Sequence, residues 1–131
     1  MCLTGLTASY RRLVLAGAYE KLDDIDRAQE YYLLSLELDP TDEECLTSYV
    51  KMLTKISLID SFDILEEFIV NNEDVKIAKV LKVNLLWKLG RKSEALHLFS
   101  LCILEDIETA KELFESFPEY KEIKEFNELI D

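Results

Sequence analysis

Glycine and proline are scarce in this chain, with 3 and 2 copies among 131 residues. That leaves little of the turn chemistry that β-hairpins need. Histidine is rarer still. The single His97 has Glu94 as its nearest carboxylate, one turn back on the same helix, which is ordinary surface spacing rather than a triad or a metal site. There is no glycine-rich phosphate loop and no HExxH, and the cluster Asp23, Asp24, Asp26 lacks the alternation and closing Glu of a calcium loop. It reads as helix punctuation, with carboxylates placed near a helix N-terminus. No catalytic residue, cofactor site or metal site emerges, so the chain is not expected to be an enzyme.

Positive charge is also short. Lys and Arg number 15 against 27 Asp and Glu, a net charge of −12, so phosphate would repel the chain. Arg11-Arg12 and Arg91-Lys92 are too brief to reverse that, and nucleic acid is not expected as a partner. No apolar run reaches the roughly 18–20 residues of a membrane span. The start, Met1-Cys2-Leu3-Thr4, has neither the basic nor the apolar segment of a signal peptide. The three cysteines, Cys2, Cys45 and Cys102, form no CxxC, and their odd number does not suggest a disulfide framework. These features predict a soluble, cytoplasmic protein with reduced thiols, of which Cys102 packs in the core.

Hydrophobic residues make up 49% of the chain, enough to bury a core. They recur at helical rather than alternating period in stretches such as Ser9 to Leu22 and Ala78 to Leu89, and predict an all-α fold. Eight helices are expected. The first is capped by Thr7 and runs to about Leu22; the second spans Ile25 to Leu38, stopped by Asp39-Pro40 because the residue before proline leaves the α region. Thr41 or Asp42 caps a third, ending near Ile56. A fourth follows Asp60 and ends at Asn71-Asn72. The fifth covers about Asp74 to Leu89 with Gly90 as left-handed cap, and the sixth opens at Ser93 and continues to about Glu105. Two amphipathic helices complete the chain, one carrying Ile107, Ala110, Leu113, Phe114 and Phe117, the other Tyr120, Ile123, Phe126, Leu129 and Ile130. From Glu105 to Asp131 ten acidic residues face three basic ones, as expected of a terminal cap with a polar outer face.

Within these helices one spacing repeats. Tyr19, Ala28 and Tyr32 recur as Leu86, Ala95 and Phe99, nine residues and then four. The two alanines lie 67 residues apart, which leaves room for a degenerate copy between them, with Leu53, Ser61 and Leu65 at the equivalent places and one residue fewer in the turn between its helices. Small residues let paired helices approach, and the aromatics fill the wedge between pairs. Such a unit cannot bury its apolar face alone, so copies stack and present an extended surface.

The first copy, with Ala16, Tyr19, Ala28, Tyr32, Ser35 and Pro40, resembles the tetratricopeptide repeat family; the third, with Val83, Leu86, Ala95, Phe99 and Cys102, resembles it with Ile107 in place of the proline. The tryptophan that the family favours near the start of each unit is replaced by Arg12, Leu46 and Lys79. The resemblance implies a right-handed superhelical stack of antiparallel helix pairs in one domain, residues 1–131. Its units fall at about 9–42, 43–75 and 76–109, with capping helices at about 106–131.

What the resemblance implies for function is protein–protein interaction, with an extended peptide or protein held on the concave face lined by the first helix of each pair. On that face Tyr10 and Trp87 are apolar anchors, Asn84 bonds a peptide backbone, and Lys21, Lys51, Lys55 and Lys88 form a positive strip that attracts an acidic or carboxylate-bearing partner. The carboxylate clamp that some members use for chaperone tails is not expected, because its positions hold Leu13, Gly17, Ser48, Ile77 and Leu81. The alternative is a structural role, as an assembly or homo-oligomerisation segment of a larger chain, its groove filled by its own termini or by a second copy.

Overall fold

The computed structural model describes residues 4–131, with side chains from residue 8 onward. Met1, Cys2 and Leu3, and with them the reading of Cys2 as a free thiol, lie outside the described residues. Helices make up nearly all of the rest, and no strand occurs among the described residues. Contacts group the chain into two compact units, Met1–Met52 and Leu53–Asp131.

In the first unit α1 (Thr4–Lys21) and α2 (Ile25–Leu38) pack as a pair, followed by the larger part of α3 (Glu43–Ile56). Helix α1 begins at Thr4, so Thr7 lies inside it rather than at its cap. The α1–α2 turn is stapled by amides of Asp23 and Asp24 donating back to the carbonyls of Glu20 and Tyr19, at 3.0 and 2.9 Å. This geometry needs a left-handed residue, and Asp23 supplies it at φ 61°. Asp24 then caps α2 by accepting from the Arg27 amide, and Asp42, rather than Thr41, caps α3 through the Cys45 amide at 3.1 Å.

The repeat residues do the packing. Ala16 and Ala28 are wholly buried, as expected of positions where two helices touch. Beside them the Ser35 hydroxyl donates to the Ser9 carbonyl at 2.9 Å, with the two hydroxyls 3.1 Å apart, so neither buried serine lacks a partner. Tyr19 stacks on Tyr31, and Tyr32 on Tyr49 of α3, each at 5.6 Å between centroids. The Tyr32 hydroxyl donates to Glu20 at 2.7 Å, and the Gln29 amide donates to the Tyr49 hydroxyl at 2.9 Å. Buried Cys45 points its thiol at the Tyr32 carbonyl, 3.7 Å away.

The second unit starts in the last turn of α3 and continues through α4 (Leu58–Asn71), α5 (Lys76–Lys88) and α6 (Lys92–Glu105). Ser57 caps α4 by accepting from the Asp60 amide, which starts that helix at Leu58, three residues before the expected place. At the degenerate copy Leu53, Ser61 and Leu65 are all buried, and Ser61 shares a 3.1 Å hydrogen bond with Thr54. Gly90, at φ 83°, closes α5 in the expected left-handed turn, with the Arg91 amide bonded to the Leu86 carbonyl at 2.9 Å. That turn delivers the chain directly into α6, so Arg91 occupies the cap position and Ser93, inside the first turn, makes no capping bond.

The terminal segment folds as α7 (Ile107–Ala110), α8 (Glu112–Ser116), a 3-10 turn (Pro118–Glu122) and α9 (Lys124–Ile130), rather than as two longer helices. The expected helix over 107–117 is present with a tight step at Lys111, whose carbonyl accepts from the Phe114 amide. The expected second helix is divided at Ile123, which is extended. The Asn127 side chain fixes that division by donating to the carbonyls of Lys121 and Ile123, both at 2.9 Å. Asp106 caps α7 and also meets the Lys76 ammonium at 3.3 Å. The Thr109 amide and hydroxyl, with Lys76, hold its carboxyl below the ordinary range.

Candidate partner-binding faces

The residues expected to line a partner groove fall into three environments. On α5 the segment Ile77 to Leu86 carries seven apolar residues besides Lys79, Lys82 and Asn84, and eight of the helix's 13 residues are buried. Helix α5 packs against α4, α6, α7 and α8, and the aromatic residues of the terminal segment close over its second half.

Asn84 sits at the centre of that closure. It is 1% exposed, and the Tyr120 hydroxyl donates to its side-chain carbonyl at 2.7 Å and lies 3.4 Å from its backbone carbonyl. The expectation that Asn84 bonds a peptide backbone is therefore corrected: its acceptor is taken by a residue of its own chain. Burial, and then the nearby Glu119 carboxylate, push the Tyr120 phenol well above its ordinary range, which keeps it a donor.

Trp87 is held in the same cluster. Its ring meets Phe126 edge-on at 4.9 Å and Tyr120 at 6.5 Å, while the Lys92 ammonium lies 4.9 Å from its centroid. Trp87 is thus a packing residue rather than a free anchor, and it remains only half-buried. Lys88 is exposed, with its ammonium 5.7 Å from the Phe117 ring.

The remaining residues are differently placed. On α1, Tyr10 is 64% exposed and Lys21 is exposed at the opposite end of the same helix. On α3, Lys51 is half-buried and Lys55, one turn on, is exposed. The fold thus brings Asn84, Trp87 and Lys88 together under or beside the terminal segment, whereas Tyr10, Lys21 and Lys55 keep solvent-facing side chains.

Two features escaped the sequence pattern. One is the aromatic cover that Tyr120 and Phe126, with Phe117 beside them, form over the second half of α5. The other is a groove of about 400 Å³ lined by Lys82, Leu86, Arg91, Ser93, His97 and Leu98. Its two strongest cations are already engaged, Lys82 with Glu66 at 2.9 Å and Arg91 with Glu94 at 2.6 Å.

The thiols of Cys45 and Cys102 are both pushed up to about 11, chiefly by burial, so they remain protonated and unreactive near neutral pH. Among the described residues no group of His, Cys, Asp and Glu could hold a metal ion, and no helix is long and apolar enough to cross a membrane.

Comparison with known proteins agrees with the helix pairing. No curated protein matches the chain. A tetratricopeptide repeat family model matches residues 12–42, which run from the third turn of α1 through α2 to the cap of α3. With that match, the buried small residues of α1 and α2 and the helix pairing of α5 with α6, the described residues form an all-α fold similar to the tetratricopeptide repeat family.

Proposed function

We propose that the chain is a non-catalytic protein-interaction module. It takes an extended peptide or protein segment, acidic in character, on the face that the first helices of its units line. One observation carries this reading: the exposed Tyr10 and Lys21 of α1 present apolar and cationic groups, whereas the equivalent part of α5 is sealed by the chain's own aromatics. Lys51 and Lys55 are the cations of α3, and Lys88 is exposed at the end of α5. The division into units of about 9–42, 43–75 and 76–109 is supported by the burial of Ser61 and Leu65 between the two stronger copies. Two buried, protonated thiols fit a reducing, cytoplasmic setting.

The test is charge reversal. Lys51→Glu with Lys55→Glu should reduce recovery of whatever partner the wild-type chain retains, with the larger loss at low salt, because exposed charges are screened over about 8 Å at physiological ionic strength. Equal recovery by both proteins would contradict the reading.

A second reading, self-assembly, is favoured by exposed apolar side chains on α6 and α7, above all Leu104 at 83%, with Leu101 and Ile107 beside it. Light scattering over a range of concentrations decides it. A molecular mass that stays at one chain throughout would rule self-assembly out.

A further inference from the structure

Helix α1 has two unlike sides. Ser9, Leu13, Ala16 and Glu20 lie on the side that engages α2, the first three buried and Glu20 bonded to Tyr32. The opposite side carries Tyr10, Arg11, Val14, Leu15, Lys21 and Leu22, all exposed. Tyr10 and Leu22 are 64% and 74% exposed, Val14 and Leu15 51% and 41%. Four large apolar residues on one exposed helix face are more than solubility explains.

The charge on that face is as one-sided as its hydrophobicity. The chain holds 27 acidic residues, yet the exposed side of α1 has none, and Arg11 and Lys21 are its charged groups. The one acid on the whole helix, Glu20, is turned toward Tyr32. We infer that this outer face of α1 is a docking surface for an acidic amphipathic helix of a partner protein. The inference rests on the reading of the chain as a protein-interaction module and names the partner's chemistry.

Geometry sets the form of the occupant. Arg11, Leu15, Ala18 and Leu22 follow one another at four, three and four residues, a ridge along a helix, with the small Ala18 allowing close approach at its middle. From Tyr10 to Leu22 the face is about 18 Å long at the α-helical rise, which matches a partner helix of about three turns. Arg11 and Lys21, ten residues apart along the helix, stand about 15 Å from each other near the two ends. Docking strips water from both cations. A partner without carboxylates leaves them unpaired, and a basic one sets like charges together, so an acidic residue near each end of an apolar stripe is the matching pattern.

The probe is a synthetic helix of about 14 residues, cross-linked to hold its fold, with leucines along one stripe and Glu at both ends. A second peptide carries Lys in place of each Glu. Fluorescence anisotropy should show the Glu peptide binding at least about ten-fold more tightly than the Lys peptide. In the chain, Leu15→Asp, and separately Arg11→Glu with Lys21→Glu, should each weaken the Glu peptide about ten-fold or more, with helicity by circular dichroism unchanged. No binding of the Glu peptide, or equal binding by wild type and Leu15→Asp, overturns the inference. So does a wild-type dimer that Leu15→Asp dissociates, because the occupant is then a second copy. Lys51→Glu with Lys55→Glu, read on partner recovery alone, separates this inference from the broader reading. If the peptide fails while that double reversal still abolishes partner recovery, the α1 surface falls and the interaction module stands.

Discussion

The pairs α1–α2 and α5–α6 are built on one plan and end in opposite conditions. Each places a wholly buried alanine, Ala28 or Ala95, against its partner helix, and each turns through a left-handed residue, Asp23 at φ 61° or Gly90 at φ 83°. Yet α1 leaves a broad apolar and basic side in solvent, while α5 is enclosed by its neighbours and by the terminal segment. The repeat residues specify how two helices pair. They say nothing about what lies on the far side of the first helix.

The enclosure of α5 is the part of this contrast that mutation breaks most strongly. Phe126 is wholly buried and touches Trp87, Phe99 and Tyr120 at 4.9, 5.2 and 4.8 Å between ring centroids. Phe126→Ala should lower the stability of that unit by about 3–5 kcal/mol in denaturant titration. It should also red-shift the emission of Trp87, the chain's one tryptophan. Unchanged emission would mean that the terminal segment does not cover α5.

The shared plan is tested by overpacking both copies at once. Ala28→Leu and Ala95→Leu should each cost roughly 1–3 kcal/mol, because neither site has room for three more carbons. If both variants melt like the wild type, the pairing of small residues is not what holds these helices together.

Each unit also buries one thiol, and alkali reads both. Cys45 and Cys102 rise from 9.0 to about 11 in the folded chain. In the unfolded chain they ionise first, so stability should be level below about pH 9 and decline as pH rises toward 11. In a Cys2→Ser background, a thiol reagent at pH 8 should label neither site until denaturant is added. Fast native labelling would place a thiol at the surface.

The smallest effect separates the two turns. Asp23→Gly should stabilise by less than about 1 kcal/mol, since the left-handed region costs an ordinary residue more than glycine. Gly90→Ala should cost about 1 kcal/mol by the same argument run in reverse. A β-carbon at Gly90 meets nothing within 4 Å, so backbone strain alone is at issue there.

How far the sequence foretold this depends on whether the signal was local. Helix α2 fell at Ile25–Leu38 as expected because Asp24 caps it and Asp39-Pro40 stops it, and Gly90 marked its turn for the same reason. The caps Thr7 and Ser93 were misplaced because each hydroxyl competes with other ways to start a helix. The left-handed residue of the first turn was hidden because aspartate does not declare it as glycine does. Asn84 and Trp87 illustrate a different failure. Their positions on α5 follow the family pattern, but their accessibility is decided by Tyr120 and Phe126, more than thirty residues away in sequence. Helix spacing cannot report such a contact.

The contrast between an open α1 and an enclosed α5 is most directly tested by amide chemical-shift mapping of the protein titrated with the acidic leucine-striped helix. The account predicts that the resonances of Tyr10, Val14, Leu15 and Leu22 shift while those of Asn84 and Trp87 stay in place. Shifts centred on Asn84 and Trp87, with α1 unmoved, would contradict it.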